Sequence, residues 1–129
     1  MDKAVLGARL LLGFIFTVFG INLWLGFLPQ PELNEAATAF FGALSASYLL
    51  TFVKVTEVVG GLMLLSGRFV PLALTLLAPI VINILFFHIF LDLAGLPVAL
   101  FVTALEVFLA WAYRGSFAGV LSMNARPTA

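Results

Sequence analysis

Four long runs of apolar residues constrain this chain more than any other feature of its sequence. A helix needs about 20 predominantly apolar residues to cross about 30 Å of hydrocarbon, and the runs cover approximately residues 4–27, 48–65, 70–91 and 97–113. Hydrophobic residues make up 64% of the chain and charged residues only 9%, whereas soluble domains carry about 45–50% and about 25%, respectively. We therefore predict an all-α fold, an integral membrane four-helix bundle that forms a single domain over residues 1–129.

A shorter segment between the first two runs is too polar at its start to cross the membrane. Apolar side chains recur in it at the spacing of one helix face: Leu33, Ala37, Phe40, Phe41 and Leu44. Because amphipathic helices of this kind lie along the membrane surface, the sequence predicts a short interfacial helix between helices 1 and 2. The residues after the fourth run, 114–129, are predicted to form a tail.

Basic residues near the helix ends all fall on one side of the predicted bundle if the four helices alternate in direction. They are Lys3, Arg9, Arg68, Arg114 and Arg126. The opposite side carries Glu32, Glu35 and Asp92 and no Lys or Arg. We call these two sides the basic end and the acidic end. Since cytoplasmic loops carry the excess of Lys and Arg, we predict a multi-pass protein of the bacterial cytoplasmic (inner) membrane, with both termini and the tail in the cytoplasm.

The counts of cysteine and histidine exclude several kinds of site. The chain has no cysteine and one histidine, which excludes disulfides, cysteine-ligated clusters and a bis-histidine haem within one chain. Its six basic and six acidic residues cancel, so net charge does not point to a nucleic-acid partner. One histidine with carboxylates on separate helices is too generic a set for a metal. We therefore predict no metal site and no intrinsic cofactor.

Several polar side chains lie inside the predicted spans, where ionisable groups cost about 2.5–3.5 kcal/mol on insertion scales. They are Asn22, Lys54, Glu57, Asn83, His88 and Glu106. At a rise of about 1.5 Å per residue, Glu57, Asn83 and Glu106 lie about 13 Å from the acidic end, and the other three lie about 6–9 Å from it. The polar groups therefore converge on the half of the membrane next to the acidic end. Asn22 lies on a different stripe of its helix from Gly13, Thr17 and Gly20, so its direction is left open.

Angular position, at about 100° per residue, places both buried acids on inward faces. Glu57 shares a stripe with Lys54, and Glu106 shares one with small and polar neighbours. We expect Lys54, Glu57 and Glu106 to meet in one buried cluster. Asn83 is expected near this cluster, and His88 at its rim towards the acidic end.

The buried charges have a structural interpretation and a functional one. Lys54 and Glu57 are three residues apart and can form an internal ion pair that makes insertion tolerable. Glu106 has no opposite charge in its own helix, so two acids face one lysine at this depth. This surplus is the strongest functional indication in the chain. No catalytic residue is assigned; the candidate ligand-binding residues are Lys54, Glu57, Asn83, His88 and Glu106.

Three segments carry a resemblance to a known family. They are ARLLLGFIFTVFGINLWLGFLP, VKVTEVVGGLMLLSGRFVPLAL and APIVINILFFHIFLD. In this order they resemble the first three helices of the DoxX family of small membrane proteins, and the resemblance covers about residues 8–115. It implies a four-helix membrane bundle. It also implies a link to respiratory or sulfur-related oxidoreductases that act on quinones, and to redox-stress complexes.

Three functions are compatible with this pattern. The first is a membrane subunit of a redox system that binds a quinone or a similar amphipathic small molecule, whose head group needs hydrogen-bond donors and an acid or base inside an apolar pocket. The second is a small proton-coupled transporter, and the third is a structural anchor or assembly partner without a ligand. Whether the chain is itself an enzyme is left open. The partners we expect are membrane lipid, a redox partner protein and further copies of the chain.

The predicted orientation can be tested with reporter fusions. Fusions placed after Arg68 and after Arg114 should both report a cytoplasmic position, because both sites lie at the basic end. A periplasmic signal at either site would overturn the orientation.

Overall fold

The computed structural model describes residues 2–128, and within them every regular element is helical. In chain order the elements are α1 (Lys3–Leu25), α2 (Glu35–Ser45), α3 (Leu49–Ser66), α4 (Val70–Phe90), a 3-10 turn (Leu93–Gly95), α5 (Leu96–Ala112) and a second 3-10 turn (Arg114–Phe117). Four of them, α1, α3, α4 and α5, are long and apolar enough to span a membrane. The predicted all-α class is confirmed, and α2 is the short helix predicted between the first two spans.

Local sequence signals determine where the helices begin and end. Asp2 accepts a hydrogen bond from the Ala4 N–H and caps the start of α1, and Asn34 caps α2 in the same way through the Ala37 N–H. The first span stops at Leu25, two residues before its predicted end. It stops there because Gly26 adopts a left-handed conformation with φ of 59° that terminates the helix.

Glycines allow α1 and α3 to approach closely along their length. A Cβ atom on Gly61 would lie 2.7 Å from the Thr17 nitrogen and 2.9 Å from the Gly13 carbonyl oxygen. Gly60 faces the other neighbour of α3, because its Cβ would lie 2.8 Å from Cγ of Leu77 on α4. Small residues are typical of helix contacts within membranes, where hydrophobicity alone does not drive association. Gly60 and Gly61 therefore lie at the contacts of α3 with α4 and with α1, respectively.

The four long helices form a ring in which each packs against two others. α1 and α4 both contact α3, and both contact α5, so α3 and α5 lie diagonally opposite each other. The largest fully buried side chains come from all four helices: Leu12, Phe16, Leu64, Leu74, Leu77 and Leu109. This apolar core fills the half of the bundle nearer the basic end.

Helix α2 packs over the acidic end of the bundle. It contacts α3, and Asn34 at its start donates a hydrogen bond to the Leu91 carbonyl at the end of α4. Phe40 and Phe41 contact the ring of Phe87, with centroid separations of 5.5 and 5.1 Å. A polar contact and an aromatic contact therefore attach α2 to α4.

The segment after α5 turns back along the bundle at the basic end. Phe117 packs against the apolar core, while Val120, Leu121 and Met123 are strongly exposed. The tail predicted at 114–129 thus begins with a 3-10 turn that contacts the bundle, and its last residue lies outside the described part of the chain.

Replacing Gly61 by leucine should destabilise the bundle in detergent by about 3 kcal/mol or more, because overpacking a close helix contact forces the backbones apart. The matched control is Gly7→Leu, since a Cβ on Gly7 meets nothing within 4 Å. The measurement is the thermal unfolding of both variants beside the unchanged protein. Equal stability of the two variants would contradict the α1–α3 contact described above.

Candidate functional site

Lys54 and Glu57 form an ion pair inside the membrane-spanning part of α3. The Lys54 Nζ atom lies 3.0 Å from Oε2 of Glu57, although that oxygen makes no hydrogen bond of standard geometry. Glu57 is 4% exposed, whereas the Lys54 side chain is 22% exposed. The two residues face the same way because they are three positions apart on one helix. The predicted pair is therefore present.

Glu106 lies on α5, diagonally across the bundle from that pair. It is 7% exposed, and its Oε1 atom is buried without a hydrogen-bond partner. Within residues 2–128, the ion pairs with N···O distances up to 4.0 Å are Lys54–Glu57 and His88–Asp92. Lys54 therefore forms an ion pair with Glu57 and none with Glu106 within this range, so the structure shows two members of the expected three-residue cluster in contact.

A groove of about 390 Å³ runs beside Glu106. Helices α4 and α5 and the segment after α5 line it, with Leu74, Thr75, Ala78, Glu106, Ala110, Arg114, Phe117, Val120 and Leu121. Six of these nine side chains are apolar, and the Thr75 hydroxyl donates to the Pro71 carbonyl within its own helix. Glu106 thus adjoins an open groove whose volume lies within the range of ligand pockets, which begins at about 300 Å³.

Arg114 lies at the rim of this groove, about two helical turns along the chain from Glu106. Its guanidinium is 4.4 Å from the centre of the Trp111 ring and donates to the Trp111 carbonyl at 2.9 Å. These contacts hold the positive charge at the basic end. Eight residues of helix separate it from Glu106, a rise of about 12 Å. The groove thus has an acid at its deep end and a cation at its rim.

His88 lies at the acidic end and not beside the other candidates. Its Nδ1 atom is 3.0 Å from the Asp92 carbonyl oxygen and 3.4 Å from Oδ2 of the same residue. Gly95 packs directly on the imidazole, where a side chain would collide with it. The ring therefore joins the end of α4 to the following 3-10 turn. This geometry is that of a structural hydrogen bond at the acidic end of the bundle.

The two asparagines of the spanning helices lie in different surroundings. Asn22 accepts a hydrogen bond from the Leu28 N–H at 2.9 Å and so ties the end of α1 to the next loop. Asn83 is exposed on α4, and its amide makes no side-chain hydrogen bond within the described part of the chain. The Asn22 side chain is thus directed towards the loop after α1, and Asn83 lies on the outside of the bundle.

Arg9 is a buried structural side chain whose burial was not predicted from the sequence. Its position near the start of the first span suggested a flanking charge, but it is 7% exposed. It donates a hydrogen bond of 3.0 Å to the Leu64 carbonyl in the last turn of α3. Gly67 leaves room for its guanidinium, which a Cβ there would displace. A cation at the carboxyl end of a helix is favourable because carbonyls there lack helical partners. The sequence feature that could have indicated this burial is the position of the arginine within an otherwise apolar run.

One family of known proteins matches the chain. The family model described as DoxX matches residues 4–90, whereas the chain matches no curated protein and no solved structure. The matched range contains the Lys54–Glu57 pair, Asn83 and His88, and it ends before Glu106. The groove beside Glu106 is lined partly from inside this range, by Leu74, Thr75 and Ala78, and partly from beyond it.

Replacing Lys54 by methionine should destabilise the protein by about 3 kcal/mol, because it leaves Glu57 buried without a counter-charge. The control, Lys3→Met, removes an exposed lysine and should change stability by no more than about 0.5 kcal/mol. A double variant, Lys54→Met with Glu57→Gln, should recover part of the loss, since the unpaired charge is removed with its partner. Unfolding in detergent measures all three. A double variant no more stable than Lys54→Met would show that the two residues are not coupled.

Proposed function

The chain belongs to the DoxX family, and we propose that it is a membrane subunit of a redox system that binds a quinone or a similar amphipathic small molecule in the groove beside Glu106. One observation carries this proposal. A carboxyl group 93% buried, with an oxygen that has no hydrogen-bond partner within residues 2–128, adjoins a largely apolar groove of about 390 Å³. Buried polar groups without partners are costly and rare, so a ligand that hydrogen-bonds to Glu106 would account for its retention.

The chemistry of a carboxyl group fits both forms of a quinone head group. In its protonated form Glu106 donates a hydrogen bond to a ring carbonyl, and in its ionised form it accepts one from a ring hydroxyl. Glu106 can therefore deliver a proton when the ring is reduced and take one up when it is oxidised. This role needs the acid to lie within hydrogen-bond reach of the head group, as it does for a ligand seated at the deep end of the groove.

The rest of the groove suits an apolar chain. Leu74, Ala78 and Ala110 line it inside the membrane-spanning region, and Phe117 and Leu121 extend it along the basic end. Such a surface can contact a hydrocarbon tail without requiring hydrogen bonds from it. The tail would extend out of the groove, between α4 and α5, into the lipid. Arg114, at the rim, is too far from Glu106 to form an ion pair with it.

Electrons in this proposal come from another protein. The sequence has no cysteine and a single histidine, so it cannot hold a cysteine-ligated cluster or a bis-histidine haem. The chain's own contribution is to hold the head group within the membrane and to exchange protons with it. The Lys54–Glu57 pair, with its charges balanced, serves as the structural part of the polar interior.

Mass spectrometry of the protein extracted in mild detergent from quinone-containing membranes tests this function. The unchanged protein should carry a quinone, and Glu106→Leu should retain about 10-fold less, because it removes the hydrogen-bond partner of the head group and a hydrogen bond contributes up to about 1.5 kcal/mol. Ala110→Phe should also lose the ligand, because it fills the groove without altering charge. Its matched control is Ala104→Phe, a change at an exposed position on the same helix.

Three results would count against the proposal. Absence of quinone from the extracted protein would show that it has no quinone site. Equal quinone retention by Ala110→Phe and Ala104→Phe would show that the ligand binds outside the groove. Proton-dependent solute flux in liposomes, abolished by Glu106→Gln and without any bound quinone, would favour the transporter instead.

A further inference from the structure

Asn83 presents an amide to lipid without any partner of its own. It lies on the exposed surface of α4, seven residues before the helix ends and so about 10 Å below that end. No side-chain hydrogen bond reaches it from residues 2–128, whereas Asn22, the amide of α1, is bonded to the Leu28 N–H. Hydrocarbon offers an amide no hydrogen bond, so exposure to lipid at this depth is unfavourable.

The exposed residues around Asn83 follow the spacing of a helix–helix seam. The Asn83 stripe consists of Leu72, Leu76, Pro79, Asn83, Phe86 and Phe90, with successive separations of 4, 3, 4, 3 and 4 residues. Every member is exposed, and the exposed fraction of its leucines and phenylalanines ranges from 38% for Leu76 to 76% for Phe90. Alternating steps of three and four residues align side chains along the contact line of a left-handed helix pair. Most helix pairs in membranes cross in this way.

We propose that a second copy of this chain docks on the Asn83 stripe, so that two α4 helices pack in parallel with their Asn83 amides hydrogen-bonded to each other. An amide carries both a donor and an acceptor, and is therefore complementary to itself. In a two-fold symmetric contact each residue meets its own counterpart or a neighbour of it. Two copies inserted in the same direction bring their stripes together in parallel, with the amides at one depth.

Asn83 also determines the register of this contact. It occupies a core position of the seam, where the other members are apolar, and a single asparagine at such a position specifies alignment and number of helices. A shift of the two helices by one turn would place each amide against Pro79 or Phe86 of the other copy. The contact adjoins the groove beside Glu106 only at Thr75, because Leu74 and Ala78 face that groove from about 120–160° around α4.

Disulfide crosslinking in native membranes tests the interface, and the chain has no cysteine of its own to interfere. Single cysteines are introduced on the stripe, by Phe86→Cys and Phe90→Cys, and away from it, by Phe14→Cys and Val107→Cys. The control positions are 59% and 62% exposed and lie on α1 and α5. Mild oxidation should give covalent dimers of the chain at the two stripe positions and only background at the two controls.

The amide is tested by adding Asn83→Leu or Asn83→Gln to the Phe86→Cys variant. Leucine should weaken dimerisation about 10-fold, and glutamine, which keeps the amide, should preserve most of it. Because Asn83 faces lipid, neither change disturbs the core, and the unfolding temperature of the monomer serves as the check.

The proposal is wrong if the control positions crosslink as well as the stripe, if the stripe positions give no dimer, or if they crosslink to a different protein. Unchanged dimer yield with Asn83→Leu would also overturn it, since the amide would then contribute nothing.

Discussion

Hydrocarbon cannot solvate a polar group, so the few polar side chains that the helices carry need hydrogen-bond or ion-pair partners within the protein. Arg9 satisfies carbonyl groups at the end of α3 through its bond to the Leu64 oxygen, and Lys54 and Glu57 neutralise each other. Asn22 joins the end of α1 to the following loop. Glu106 and Asn83 differ from these residues, because the side chain of neither makes a hydrogen bond or an ion pair in the described part of the chain. In our two proposals the partner of the buried acid is a small molecule, and the partner of the exposed amide is another helix.

The close contact between α1 and α3 makes this arrangement possible. Gly13, Gly20 and Gly61 bring the two backbones together, and the same approach carries Arg9 to the carbonyl end of α3. Because α1 packs closely against α3, the opposite edge of the bundle is formed by α4 and α5, and the groove lies between them. The two acids at mid-depth are thus separated by the diagonal of the ring. One is neutralised and packed, and the other is open to a cavity, so two residues of the same type have different surroundings.

The two proposals use different faces of α4. The face that carries Thr75 and Ala78 lines the groove, whereas the Asn83 stripe lies on the lipid side of the same helix. A dimer through the stripe would leave the groove free on each copy. In such a dimer a partner protein that supplies electrons could still approach the groove past α5 and the segment that follows it.

The sequence alone determined the membrane class, the four spans to within two residues and the short helix between the first two, because these depend on local hydrophobicity, caps and breakers. It also determined the Lys54–Glu57 pair, since a separation of three residues on one helix places two side chains together wherever the helix packs. The association of Glu106 with Lys54 could not be judged in this way. Depth and angular stripe give the position of a side chain on its own helix, but not which helices are neighbours. Only the tertiary structure decided that α3 and α5 lie diagonally opposite each other, that Asn83 faces outward and that Arg9 is buried, because each depends on the order in which the helices pack around the ring.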